Sequence, residues 1–245
     1  MSVVVLGDCI ATGYNVLLHE ILDDDNLLHP EYGLNEEQEK KFGIWFLSQN
    51  IKIKAENIKQ QAYAYKLQQE MNLAWPSLIP GCTNLASQNE TFLGMFYKIK
   101  EYLKSQKKPK LVLITDFSPT HRCVVINNDG KHIVQNDIAL IHDQQHTWNP
   151  GVYAQFKKKI IKQESFGEKY QKRKTKLSFD ILRKFLKINQ IPYKFLIFKQ
   201  HNTYLTKNYI DCTDLIKTYT VGKQHHCKNK LKAQILIAKH VEKHI

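Results

Sequence analysis

Short, uninterrupted apolar runs alternate along this chain with longer stretches in which apolar residues recur every three or four positions. The runs are Val3-Val4-Val5-Leu6, Lys110-Leu111-Val112-Leu113-Ile114-Thr115 and Tyr193-Lys194-Phe195-Leu196-Ile197-Phe198. Runs of this length without polar alternation suit strands buried on both faces of a parallel sheet. A helical pattern follows the first run through Val16, Leu17, His19-Glu20 and Ile21-Leu22. Residues 36–72 are polar and helix-prone, with apolar positions at Phe42, Trp45-Phe46, Ile58, Ala62, Tyr65 and Leu67. Phe92, Met95, Phe96, Ile99, Tyr102 and Leu103 fall on one face of an amphipathic helix. Two basic helical stretches come after residue 150, the second with Leu177, Ile181, Phe185 and Ile188 on a stripe. The last helix carries Leu231, Ile235, Ala238 and Ile245 on one side. Strands alternating with helices predict an α/β fold, a three-layer sandwich with a mostly parallel sheet.

The connections modify this picture in two places. Leu73 to Thr91 is rich in Pro, Gly and Asn and reads as a strand-to-helix loop region. Cys123-Val124-Val125-Ile126 and His132-Ile133-Val134 flank Asn127-Asn128-Asp129-Gly130, whose Asp-Gly pair supplies the positive φ values of a tight hairpin. Residues 135–150 read as an irregular excursion. With no repeat and no low-complexity linker, the expectation is a single domain over 1–245, with 123–150 as an inserted hairpin and loop.

Composition is ordinary for a globular chain, with 42% hydrophobic and 24% charged residues among 245. No apolar run approaches the roughly 18 to 20 residues of a membrane helix. The N-terminus lacks a basic region, and its apolar run is too short for a signal peptide. The five cysteines (Cys9, Cys82, Cys123, Cys212 and Cys227) are odd in number and scattered, which favours reduced thiols. Synthesis in a cytoplasm, without a signal peptide, is the resulting expectation. The formal charge of +13 is uneven: residues 157–187 hold twelve Lys/Arg against Glu164, Glu168 and Asp180, whereas Glu20 to Glu39 is acidic around Asp23-Asp24-Asp25. Such polarity steers polyanions or an acidic partner, and it also describes a plain solvated helix face. The aromatics of the basic stretch have the spacing of helix core rather than of a stacking platform, so nucleic-acid binding is a minor reading.

Ligands of open parallel sheets bind beyond the carboxyl ends of the strands. Three stretches should converge there: Gly7-Asp8-Cys9, Asn84 to Asn89, and His225-His226 before the last helix. At these points the chain resembles the SGNH (GDSL) hydrolases. Val4-Val5-Leu6-Gly7-Asp8-Cys9 with Gly13 is similar to the family's strand followed by Gly-Asp-Ser-x-x-x-Gly, with Cys9 at the serine. Asn84-Leu85-Ala86-Ser87-Gln88-Asn89 resembles a shortened second block of phage-type members. Thr115 to Arg122 also resembles phage-encoded relatives, and His225-His226 with Ile237-Ala238 resembles the last block, usually Asp-x-x-His before an apolar helix. The resemblance implies a flavodoxin-like SGNH hydrolase fold and acyl transfer on an ester such as an O-acetyl group on a glycan. Cys9 would be the nucleophile and His226, or else His225, the base, without a cofactor. Asp8, Asn89, Gln88, Asp211 and Asp214 are the oxyanion or orienting candidates.

The chain departs from that pattern in three respects. Lys223 stands three residues before His226, where the family has its acid; the Gly-x-Asn-Asp block is absent, with Asp116 near its place; and the second-block glycine is missing. Each singled-out residue also has a plain structural role: Cys9 as a small buried side chain, the histidines at a helix start, His121-Arg122 in a salt bridge. Asn89 is read first as the N-cap of the helix that follows. Adjacent His225, His226 and Cys227 splay apart and lack a second ligand pair, so no metal site is expected. Three functions therefore stand side by side: an ester hydrolase, a non-catalytic descendant such as a phage structural or virion-associated protein with protein partners in the particle, and an electrostatic binding module on 157–187.

Overall fold

The computed structural model describes residues 2–7, 9–13, 16–22, 36–49, 58–87, 90–115, 122–128, 131–137, 168–198, 207–217 and 231–245. The three apolar runs form the centre of one sheet as β1 (Val3–Leu6), β3 (Leu111–Thr115) and β6 (Tyr193–Ile197). Two strands missing from the hydrophobic pattern complete it, β2 (Cys82–Asn84) and β7 (Tyr209–Asp211). The order is β2-β1-β3-β6-β7 and every pairing is parallel. Between β2 and β7 the chain also forms an antiparallel pair, β4 (Arg122–Asn128) with β5 (Lys131–Asp137). Asn128 is opposite Lys131, which leaves two residues for the turn, and Asp129-Gly130 lie outside the described residues. Residues 135–137, expected to be irregular, belong to β5.

The helices are α1 (Cys9–Thr12), α2 (Val16–Leu22), α3 (Glu36–Ser48), α4 (Ile58–Leu73), α5 (Phe92–Ser105), α6 (Glu168–Ile188), α7 (Thr213–Lys217) and α8 (Leu231–Glu242). Alternate residues of each central strand point to opposite faces, and each face has its own core. Val3, Val5, Leu111, Leu113 and Leu196 meet α1, the 3-10 turn Trp75–Leu78 and α8. Val4, Leu6, Val112, Ile114, Phe195 and Ile197 meet Phe92, Met95 and Ile99 of α5 and Phe179, Leu182 and Leu186 of α6. Helices therefore cover both faces of a parallel sheet, the α/β sandwich expected from the alternation of runs. None of the helices among the described residues is long and apolar enough to cross a membrane.

Two helices bury a different stripe from the one expected. Helix α6 buries Phe179, Leu182 and Leu186, while Leu177, Ile181 and Ile188 are 62%, 39% and 70% exposed. Helix α8 buries Ala233, Gln234, Ile237, Ala238 and Val241, leaving Ile235 exposed. Both carry more apolar residues than one face can hold, so periodicity alone admits two stripes and packing against the sheet selects one. Helix α6 ends in a Schellman motif: Gln190 is left-handed (φ 51°), Ile191 N–H donates to Leu186 O at 2.9 Å and Gln190 N–H to Lys187 O at 3.0 Å. Pro192 follows and the chain enters β6.

Candidate functional site

Counted in chain order, the five parallel strands lie 2-1-3-4-5, so the winding reverses between β1 and β3, and sheets of this order bind ligands beyond the carboxyl ends of the strands at that reversal. Gly7 ends β1 there and packs on Thr115, the last residue of β3. A Cβ on Gly7 would sit 2.0 Å from Thr115 Oγ1, so no larger residue fits. Gly13 closes the short helix after Cys9 with φ +66°, and its missing Cβ makes room for Glu70 O, 2.5 Å from where that atom would lie. The pattern Gly7 to Gly13 is thus a backbone requirement at both ends.

The segment after β2 is fastened to this turn. Ser87 N–H donates to Gly7 O at 3.0 Å and Leu85 N–H to Val5 O at 2.9 Å. Asn84 Nδ2 donates to Ala11 O at 2.7 Å, and its Oδ1 accepts from Ala86 N–H at 3.0 Å, tying β2 to α1. Lys98 of α5 holds the same segment from below. Its ammonium meets Leu85 O at 2.9 Å, Ser87 Oγ at 2.5 Å and Glu90 Oε2 at 2.5 Å. Three N–H donors thereby find three acceptors. Glu90 is fully buried, and it also accepts from Ser87 Oγ at 2.8 Å and from Thr91 N–H at 3.0 Å. The expected N-cap at Asn89 is corrected: Thr91 caps α5, its side chain accepting from Gly94 N–H at 3.1 Å. The helix begins two residues later than the sequence suggested, because Glu90 is drawn into the ion pair.

From the other side, Gln234 of α8 reaches the same turn. Fully buried, it accepts from Trp75 N–H at 2.7 Å and donates to Ile10 O at 3.3 Å. The helix that follows His225-His226 in sequence is therefore bonded to the residue after Cys9.

Of the predicted site residues, Cys9 begins α1, and its thiol lies outside the described side chains. Asp8, Gln88, Asn89, His225 and His226 lie outside the described residues altogether, as do Asp116 and Lys223. Asp211 ends β7 and caps α7, its Oδ1 accepting from Thr213 N–H at 2.8 Å, and Asp214 is exposed in the first turn of α7. Cys82 and Cys212 are free thiols. Burial pushes each up to about 12, with the Asp211 carboxylate adding to the effect at Cys212, so neither is a nucleophile near neutral pH.

Sequence reasoning had brought Gly7-Asp8-Cys9 and Asn84 to Asn89 to one sheet edge, and the Ser87–Gly7 bond joins those two segments. It missed Glu90, Lys98 and Gln234. Glu90 and Lys98 are eight residues apart, a spacing without a local rule, whereas Gln234 is a polar residue within an apolar stretch of the last helix, a signal that could have found it. No protein-family model matches this chain, and no curated protein matches it in sequence.

Proposed function

We propose that this is an SGNH hydrolase-like protein that hydrolyses an acyl ester, such as an O-acetyl group on a glycan, through Cys9. The Ser87 N–H to Gly7 O bond carries this reading, because it joins the glycine that opens the Gly-Asp-Cys motif to the Asn-Leu-Ala-Ser segment at the switch point of a parallel sheet. The Cys9 sulfur attacks the ester carbonyl carbon and its proton passes to the imidazole of His226, with His225 as the alternative. The collapsing tetrahedral intermediate expels the alcohol, which takes that proton. Water, deprotonated by the same imidazole, then cleaves the thioester and releases the carboxylic acid. The Cys9 N–H with Asn89 or Gln88 supplies the oxyanion donors. His226 is five residues before Leu231, a span of at most about 18 Å, and α8 is itself bonded to Ile10.

The test is hydrolysis of p-nitrophenyl acetate by the wild type, Cys9→Ala and His226→Gln. Both variants should lose turnover while keeping the melting temperature, and the wild-type rate should rise with pH through the imidazole range near about 6.5. Equal turnover by wild type and Cys9→Ala removes Cys9 from the role. A second reading, a non-catalytic body such as a phage virion-associated protein, draws on Lys223 at the acid position and on Asp211 being engaged as a helix cap. A wild type inert toward short acyl esters, with an intact fold, favours that reading.

A further inference from the structure

We infer that the chain associates with copies of itself head to tail, the outward face of α3 of one copy docking on the outward face of α6 of the next. This goes beyond the proposed hydrolysis and does not depend on it. The outward side of α6 is built like an interface rather than a solvated helix. Leu177, Ile181 and Ile188 recur at i, i+4 and i+11 on the side opposite the buried Phe179, Leu182 and Leu186. Exposed Arg173, Lys176, Arg183, Lys184 and Lys187 flank them. The acid among them, Asp180, is held by Arg183 at 2.9 Å. Where α6 turns into β6, a trough of about 800 Å³ opens between Arg183, Lys184, Lys187 and Tyr193. It lies at the amino ends of the strands, remote from Gly7.

The same chain exposes the complementary surface. Glu36, Glu37 and Glu39 occupy the first turn of α3 and are exposed, and Ile44 and Leu47 farther along are 61% and 68% exposed. Lys40 and Lys41 lie between them, and Lys41 is held by Glu37 at 3.0 Å. In sequence, residues 20–39 contain eight carboxylates and no Lys or Arg, against the excess of nine positive charges over 157–187. The ridges have equal length: Glu36 to Leu47 and Leu177 to Ile188 each comprise twelve residues, about 16 Å of helix from end to end. Laid antiparallel, the glutamates of α3 meet Arg183, Lys184 and Lys187 at the trough, while Ile44 meets Leu177 and Ile181. The macrodipoles favour that direction, since the amino end of one helix meets the carboxyl end of the other.

Helix α3 is carried by α2, which packs on α8 over the first face of the sheet, whereas α6 covers the second. The two surfaces belong to opposite sides of the sheet, and their pairing is satisfied between copies. Such a contact is heterologous, so it propagates into rings or chains rather than closing as a symmetric dimer. A single-stranded nucleic acid would leave the aliphatic ridge unused, since its bases stack on aromatic faces.

Sedimentation velocity of the whole chain tests this. The wild type should show a concentration-dependent series extending beyond the dimer, weakened about tenfold or more as salt rises from about 0.01 M to about 1 M and charge screening tightens. Leu177→Glu with Ile188→Glu on α6, and Glu36→Lys with Glu37→Lys and Glu39→Lys on α3, should each give a monomer. All five positions are exposed, so circular dichroism should stay unchanged. An equimolar mixture of the two variants keeps one intact α3 and one intact α6, and it should form a dimer and nothing larger. A wild type monomeric up to about 100 μM at low salt overturns the inference, as do variants that associate like the wild type or a mixture that stays monomeric. If that monomer instead binds heparin through α6, the surface serves a polyanion and the self-association is equally overturned.

Discussion

The two faces of the sheet are packed from different materials. On the second face three phenylalanines form a cluster, with Phe92 and Phe179 centroids 4.8 Å apart and Phe195 at 5.9 and 5.8 Å from them. Phe96 and Phe185 extend it with an edge-on contact at 5.2 Å. The first face packs Trp75 and Phe198 among aliphatic side chains, has small residues at Ala11, Ala86, Ala238 and Cys212, and admits the buried amide of Gln234. Phenylalanine rings fill space without a polar atom to pair, whereas small side chains near α1 and α8 leave room for an amide to bridge the two helices. Gln234 on the first face ties α8 to the turn that carries Cys9, and Lys98 on the second holds the segment bonded to that turn.

This contrast predicts the largest loss on the aromatic side. Phe179→Ala, in the centre of the ring cluster, should cost about 3–5 kcal/mol in urea unfolding. A loss below about 1 kcal/mol would mean that the cluster closes over the gap, and the division between the faces would fail.

Next in size is the ion pair that crosses from the aromatic face to the sheet edge. Lys98→Met leaves the buried Glu90 carboxylate without its cation and should cost about 3 kcal/mol, toward the low end of the range because the Lys98 side chain is 31% exposed. Amide exchange of Leu85 and Ser87 should accelerate before that of the β3 amides, because the segment rather than the sheet is released. Uniform acceleration across both would show that Lys98 supports the whole fold instead. The other buried pair, Lys66–Glu70 at 3.2 Å, joins residues one turn apart on α4.

Gln234 separates packing from hydrogen bonding on the first face. Both Gln234→Ala and Gln234→Met strand the buried Trp75 N–H, at about 1–3 kcal/mol. If Gln234→Met restores wild-type stability, the amide is only filling volume.

The parts legible in the sequence were those fixed by strong local chemistry. Continuous apolar runs announced β1, β3 and β6, and the Phe92 to Leu103 stripe announced α5, because burial on both faces or along one stripe leaves little else possible. Strands β2 and β7 were invisible: each has three residues at a sheet edge, and Cys82-Thr83-Asn84 contains nothing apolar beyond a thiol. For α6 the pattern was present but double, and the stripe of Leu177, Ile181, Phe185 and Ile188 was chosen over that of Phe179, Leu182 and Leu186. At the site, Gly7 and Gly13 were readable because a glycine at a tight junction leaves a motif. The Lys98–Glu90–Ser87 contacts were not, because they join a segment to a helix through tertiary geometry alone.

The smallest effect concerns the two thiols that lie against the first face. Both Cys82 and Cys212 are raised from 9.0 to about 12, so the folded state holds their protons more tightly than the unfolded chain does. Whatever stability depends on those protons is fully present below about pH 9 and is lost as pH rises toward about 12. At pH 8 the native protein should therefore leave both thiols unmodified by iodoacetamide under conditions that alkylate them in urea, with mass spectrometry of the digested protein reporting each site. Desolvation is the larger cause at Cys212 and the neighbouring Asp211 carboxylate the smaller one. Asp211→Asn should speed Cys212 alkylation at pH 10 modestly, at most a few-fold, because removing one nearby negative charge favours the thiolate only slightly in a site that stays buried. Cys82 is the internal control, since Asp211 has no part in its shift. An equal rise at both thiols would mean that losing the Asp211 cap loosened the first face as a whole. No change at Cys212 would leave burial as the sole cause of its inertness.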